Sequence, residues 1–122
     1  MGTWGAGNFD SDTAADHLSI LTERLVSEVE EAMSGDPVEL EPDEYWGVAV
    51  PCNLEILHVL ASRRWVGVVL PEAATVEAWK ATYLAVWDAN IDGLSPAPEH
   101  RAQRRAALER TFDQLVEAIR IS

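Results

Sequence analysis

Glu55 and His58 have the spacing that most resembles a metal-binding unit in this chain. Glu-x-x-His is the unit with which four-helix di-iron and di-manganese proteins place two ligands on one helix face. A complete site of that kind needs a second such pair and two further inward-facing glutamates. The chain has no second pair, and the carboxylates of Glu30, Glu109 and Asp113 leave the set one histidine short. Because the ligand set is incomplete, a metal-dependent enzyme that uses Glu55 and His58 is an alternative hypothesis and not the main one.

Two other groups of reactive side chains have simpler explanations. Asp10, Asp12 and Asp16 could offer oxygen ligands to Mg²⁺ or Ca²⁺, but an EF-hand glycine and glutamate are missing, and helix capping explains these aspartates. Cys52 and His58 are six residues apart, which places them about 240° apart around a helix. Nucleophile-elbow, P-loop and dinucleotide-binding motifs are absent from the sequence. We predict no catalytic residue, no metal ion and no cofactor.

Charge is distributed very unevenly along the chain. Residues 1–62 contain 13 acidic residues against Arg24 alone, whereas residues 63–122 contain eight acidic and eight basic residues. The first half therefore holds the whole net charge of −12. Such a surface repels phosphate backbones, which argues against nucleic-acid binding. It is compatible with a cationic protein partner, and also with a role in solubility alone.

The densest acidic segment, here called the acidic loop, covers residues 36–44. It contains no basic residue and five carboxylates, those of Asp36, Glu39, Glu41, Asp43 and Glu44. Because no positive charge within the segment neutralises them, we predict that these five residues form a partner-binding surface. A cationic partner would associate faster with such a surface through electrostatic attraction.

Apolar residues that recur at intervals of three and four predict four amphipathic helices. The predicted helices cover residues 13–33, 45–61, 75 to about 93, and a segment that opens after the proline-rich residues 95–98. We expect a break near Pro51, since proline cannot donate a backbone hydrogen bond, and an extended linker packed on the core at residues 65–70. The short connections predict an all-α, four-helix up-down arrangement in a single domain of residues 1–122.

The first twelve residues combine three glycines with two aromatic side chains directly ahead of the first predicted helix. We expect Trp4 and Phe9 to be buried against helix ends because both carry large apolar surfaces. Asp12 is the predicted N-cap of the helix. The segment is therefore predicted to form a Gly/Trp-rich plug.

Aromatic and charged residues in the predicted helices indicate how the helices pack. Trp79, Tyr83 and Trp87 recur every four residues, a stripe that is more typical of a core than of a ligand site. Acidic residues near the end of the first helix and arginines at the start of the fourth oppose their own helix dipoles. We expect these groups to neutralise one another, and the arginines after the second helix to approach the N-terminal aspartates. The first pairing involves Glu28, Glu30 and Glu31 with Arg101, Arg104 and Arg105, and the second involves Arg63 and Arg64 with Asp10, Asp12 and Asp16.

The opening residues GTWGAGNFDSDTAAD, at positions 2–16, resemble the signature G-x-W-G-x-G-x-F-D-N-D-x-A-x-D of the bacterial domain of unknown function 4259 family. The chain departs from the family pattern at Ser11, where asparagine is usual, and at His17, where tryptophan is common. The resemblance extends over nearly the whole chain. It implies a small, acidic, mostly helical bacterial protein and supplies no mechanism.

Length and cysteine content complete the prediction. A chain of 122 residues suits one domain, and its single cysteine cannot form an internal disulfide, as expected in a reducing compartment. The sequence has neither a membrane-spanning run nor the pattern of a signal peptide. We interpret the chain as a cytoplasmic, non-enzymatic protein–protein interaction module. An immunity or antitoxin-like protein that binds a cationic toxin is the other interpretation beside the metal-dependent enzyme.

Overall fold

In the computed structural model, which describes residues 2–122, most of the chain forms four α-helices. They are α1 (Asp12–Ser34), α2 (Tyr45–Ser62), α3 (Ala73–Asn90) and α4 (Pro98–Ile121), with short 3₁₀ helices at Pro37–Leu40 and Ile91–Leu94. Apart from one isolated bridge between Thr3 and Ser11, residues 2–122 contain no β-structure. The all-α prediction is confirmed, and α1 and α2 have the predicted bounds to within one residue.

Successive helices run antiparallel, which confirms the up-down arrangement. Between α3 and α4, Lys80 pairs with Asp113 and Asp88 pairs with Arg105, each at 2.8 Å, so the end of α3 lies beside the start of α4. The α2 helix packs against α1 on one side and against α4 on the other. Between these two contacts α2 buries Val50, Leu54 and Leu57 in the core.

The core forms where the apolar faces of the four helices meet. Trp79, Tyr83 and Trp87 are only 6%, 1% and 2% exposed, so the prediction that this stripe belongs to the core is confirmed. Phe112 of α4 is fully buried and its ring lies 5.5 Å from the ring of Tyr83. Burying a large apolar side chain contributes about 1.5–3 kcal/mol, so these aromatic residues are major contributors to stability.

The expected break near Pro51 is wrong, because α2 continues through the proline without interruption. Proline has no N–H, so the carbonyl group four residues earlier, that of Gly47, loses its helical donor. The hydroxyl of Tyr83 on α3 donates a hydrogen bond to this carbonyl instead. Burial raises the pKa of Tyr83 to about 12, so its hydroxyl remains a donor even well above physiological pH. A contact from another helix thus compensates for the proline.

Replacing Tyr83 with phenylalanine is expected to destabilise the protein by about 1–3 kcal/mol, because the Gly47 carbonyl would be left buried without a donor. In a Pro51→Ala background residue 51 regains an N–H that can reach this carbonyl, so the same replacement should cost clearly less. Urea denaturation of the two single variants and the double variant measures the difference. Equal costs in both backgrounds would show that the hydroxyl does not substitute for the missing backbone bond.

The N-terminal segment does not form the predicted plug. Trp4 is 49% exposed, which contradicts its expected burial. The segment closes on itself instead, since the Trp4 amide donates to the Asp10 carbonyl at 3.0 Å and the Asp10 carboxylate accepts from the Gly7 amide at 2.9 Å. Ser11, and not Asp12, caps α1 by accepting from the Ala14 amide. Local hydrogen bonds therefore hold the indole of Trp4 outside the core.

Phe9 is the aromatic residue that attaches this segment to the helices. Its ring stacks on that of Trp65 at 4.2 Å and an interplanar angle of 17°. We expect Trp4→Ala to change stability by less than about 1 kcal/mol, because half of its surface is already in water. A double-mutant cycle between Phe9 and Trp65 should give a coupling of about 0.5–1.5 kcal/mol. Thermal unfolding that shows a larger loss for Trp4→Ala than for Phe9→Ala would contradict this assignment.

The linker between α2 and α3 contains no helix or strand and lies along the first half of α1. The predicted extended conformation of residues 65–70 is correct except for a turn at residues 66–67. The hydroxyl of Ser19 donates to the Gly67 carbonyl at 2.7 Å, and the hydroxyl of Thr22 accepts from the Val69 amide at 3.0 Å. Gly67 has a φ of 106°, and a Cβ atom there would lie 2.2 Å from the Ala15 carbonyl oxygen. Only glycine allows so close an approach of the linker to α1.

Candidate functional site

The acidic loop is fixed to the start of α2 by packing and backbone contacts. Asp36 caps the 3₁₀ helix within the loop, where its carboxylate accepts from the amide two residues later at 3.0 Å. Leu40 is buried, with 1% of its surface exposed. On the helix side, a Cβ atom on Gly47 would lie 1.9 Å from the Glu41 carbonyl oxygen. The loop backbone therefore lies directly against the first turn of α2.

The carboxylates of the acidic loop point away from this anchored side. Asp36, Glu39, Asp43 and Glu44 are exposed, and Glu41 is half-buried. Six ion pairs are present among residues 2–122, and none of them involves the acidic loop. Five negative charges on nine residues are thus left to interact with solvent ions or with a binding partner.

A groove of about 430 Å³ adjoins the acidic loop, and sequence reasoning missed it. Asp43 and Glu44 form its acidic side, and its other lining residues come from α2: Tyr45, Val48, Ala49, Cys52 and Asn53. Tyr45 and Val48 are 74% and 51% exposed. An exposed aromatic side chain beside a charged rim is typical of protein interfaces. The sequence does contain an indication of this groove. Apolar residues surround α2, and because only one side of a partly exposed helix is buried, some of them must face solvent.

The structure does not complete a metal site around Glu55 and His58. Glu55 is exposed on α2, whereas His58 is half-buried. Within residues 2–122, no group of three or more His, Cys, Asp or Glu side chains is arranged to hold a metal ion. The pair therefore lacks the additional ligands that a di-metal site requires.

His58 contributes instead to a groove of about 900 Å³ at the far end of α2, which sequence reasoning also missed. The groove lies where the end of α2, the following linker and the end of α4 meet. Trp65 and Leu70 supply apolar surface, and Arg64, Gln114 and Glu117 supply polar groups. In the sequence, the one indication of this groove was the apolar run of residues 65–70, which lines it.

The predicted neutralisation between α1 and α4 is wrong. Arg101 pairs with Asp92 and Arg105 pairs with Asp88, both at 2.8 Å, and Arg105 also pairs with Glu109 in its own helix. A hydrogen bond from Arg105 lowers the pKa of Asp88 below its ordinary value. The reason is that the hairpin between α3 and α4 brings the end of α3 to the start of α4, so the acids come from α3 and from the 3₁₀ helix that follows it.

The arginines after α2 also lack their predicted partners. Among residues 2–122, neither Arg63 nor Arg64 forms an ion pair. The guanidinium of Arg63 lies over the ring of Trp65, 5.6 Å from its centroid. The predicted proximity of this end of α2 to the N-terminal segment is present, but the aromatic stack of Phe9 on Trp65 makes the contact.

Comparison with known proteins adds no relative. The chain matches no family model, no curated protein and no solved structure. The resemblance of its opening residues to the bacterial domain of unknown function 4259 family therefore stays a prediction. Nowhere between residues 2 and 122 is a helix both long enough and apolar enough to cross a bilayer.

Proposed function

We propose that this chain is a protein-binding module that recognises a cationic protein through the acidic loop and the adjoining groove. Its activity is then association and not catalysis. The observation that carries the proposal is the combination of five carboxylates outside every described ion pair with exposed Tyr45 and Val48 beside them.

The two parts of this surface have different roles in the proposal. The acidic loop attracts a positively charged protein over long range and so raises the association rate. Tyr45 and Val48 supply apolar contact area, which slows dissociation once the partner is seated. The rigid attachment of the loop to α2 supports binding because the loop loses little conformational freedom when the partner arrives.

The experiment that tests the proposal compares two variants of equal charge. In the loop variant Asp36→Asn, Glu39→Gln, Asp43→Asn and Glu44→Gln remove four charges, and Asn at position 36 keeps the cap. In the control variant Asp12→Asn, Asp16→Asn, Glu23→Gln and Glu30→Gln remove four exposed charges from α1. Wild type, loop variant and control are used to capture proteins from an extract of the native host. The proposal expects a basic protein that wild type and control retain and that the loop variant loses.

If the captured protein is a toxin encoded beside this chain, the protein-binding module is an immunity protein for that toxin. Equal capture by the loop variant and the control would contradict the proposal. Capture of acidic proteins alone would contradict it as well, because the acidic loop would repel them.

A further inference from the structure

The outward side of α2 is an apolar stripe that no other element of the described chain covers. Its side chains are spaced by three or four residues, which places them on one side of the helix. Tyr45, Val48, Ile56 and Val59 are 74%, 51%, 45% and 50% exposed, and Cys52 between them is also exposed. Glu55 is the one Asp, Glu, Lys or Arg residue in α2. Surface helices normally turn charged residues toward solvent, so this stripe has the composition of an interface.

The two ends of the stripe carry opposite charges. Asp43 and Glu44 are exposed immediately before it, and Arg63 and Arg64 are exposed immediately after it. Arg63 keeps a helical backbone conformation and lies five helical turns after Tyr45, so it continues the same side of the helix. Arg64 has a φ of 58° and is no longer helical. None of these four residues takes part in an ion pair within residues 2–122. The surface therefore runs from acidic through apolar to basic.

We propose that this surface, here called the α2 face, binds a second copy of the chain with the two α2 helices antiparallel. A two-fold axis near residue 54 then places Glu44 and Tyr45 opposite Arg63 of the other copy, and the reverse at the far end. Val48 faces the region of Val59, and Cys52 faces Ile56. Parallel packing would instead bring like charges together at both ends.

Self-complementarity is the reason to assign a second copy as the occupant. A two-fold interface uses the same patch on both chains, so each acidic end requires a basic end on the same face, and the α2 face has both. From Tyr45 to Arg63 the stripe is about 27 Å long, which is enough for a helix–helix contact of five turns. A purely cationic partner would satisfy the acidic end and leave Arg63 and Arg64 without carboxylates.

Glu55 provides a test of the register when it is compared with Asp43 and Glu44. It lies at the edge of the stripe next to the proposed axis, so the two copies bring their Glu55 carboxylates close together. Like charges at that distance repel, and Glu55→Gln is therefore expected to strengthen self-association. Repulsion between whole molecules of net charge −12 predicts that any loss of negative charge strengthens association. In the proposed register, by contrast, removing the charge of Asp43 or Glu44 weakens association, because these residues face an arginine of the other copy.

The decisive experiment mixes two charge-reversed variants. Asp43→Arg with Glu44→Arg makes both ends of the α2 face basic, and Arg63→Glu with Arg64→Glu makes both ends acidic. Wild type is expected to show a monomer–dimer equilibrium by sedimentation at concentrations up to about 200 μM, which populates even weak complexes. Each variant alone should associate at least about tenfold more weakly than wild type, and a 1:1 mixture should regain association as a heterodimer. Recovery in the mixture also shows that both variants are folded.

Cross-linking through the single cysteine gives an independent measurement. In the proposed dimer the two Cys52 residues are offset by about 6 Å along the helix axes, within reach of a short bis-maleimide. Wild type should give a cross-linked dimer, and Ile56→Lys should abolish it. A wild-type chain that stays monomeric at every concentration would overturn the proposal. Mixed variants that associate no better than each alone would overturn the antiparallel register.

This inference does not rest on the proposed binding of a cationic protein, although both surfaces include Asp43, Glu44, Tyr45, Val48 and Cys52. The variant with Arg63→Glu and Arg64→Glu keeps the acidic loop intact. It should therefore lose self-association and still capture the cationic partner. The opposite pattern, a dimer with no captured partner, would leave the dimer supported and contradict the proposed function.

Discussion

Gly47→Ala is expected to destabilise the protein by about 3 kcal/mol, because the new methyl group would overlap the backbone of the acidic loop. A Cβ atom at this position would lie 1.9 Å from the Glu41 carbonyl oxygen and 2.9 Å from that of Leu40. Both obstacles are backbone atoms, so no side-chain rotation relieves the overlap. The loop and α2 would have to separate, which exposes Leu40 to water.

Thermal unfolding measures this effect against a matched control. A loss of this size lowers the melting temperature of a chain of this length by roughly 10 °C. Gly93→Ala is the control, since a Cβ atom there would meet nothing within 4 Å and surface changes of this kind shift stability by only about 0.5 kcal/mol. Similar melting temperatures for the two variants would show that the loop is not packed on α2 as described.

Reversing charge in the acidic loop is expected to lower the association rate for a cationic partner by about tenfold or more at physiological salt. The variant Glu39→Lys, Asp43→Lys and Glu44→Lys changes exposed residues that make no ion pair within residues 2–122. The same three residues give wild type its attraction for the partner, so the dependence of the rate on ionic strength should become flatter.

Stopped-flow or surface-plasmon measurements at several salt concentrations separate this effect from loss of contacts. A variant with Asp12→Lys, Asp16→Lys and Glu23→Lys in the first half of α1 has the same net charge and is the control. Its association rate should fall much less, because the changed residues lie away from the loop. If the two variants slow association equally, overall charge and not the acidic loop governs recognition.

Helix positions were predictable from the sequence because they depend on local patterns. The intervals of three and four in α1 and α2 gave their bounds to one residue, and the four-residue spacing of Trp79, Tyr83 and Trp87 predicted a buried stripe. Pro51 was misjudged for the same reason. Local rules predict a break at a proline, and the compensating hydroxyl of Tyr83 comes from a helix more than thirty residues away.

The acidic loop was also predictable, since it is a continuous segment of sequence, but the groove beside it was not. That groove requires knowing which side of α2 faces solvent, and α2 has apolar residues around its whole circumference. The arginine partners depended on the packing order of the helices in the same way. Trp4 was misplaced because its apolar surface favours burial, whereas local hydrogen bonds close its segment outside the core.

The most direct test of the central claim is the affinity of the captured partner for wild type, the four-charge loop variant and the four-charge α1 control, measured by calorimetry at one salt concentration. Recognition through the acidic loop predicts that the affinity of the control lies within about threefold of wild type. The affinity of the loop variant should be at least about tenfold lower. Loss of affinity that is equal in the two variants, or confined to the α1 control, would contradict the account.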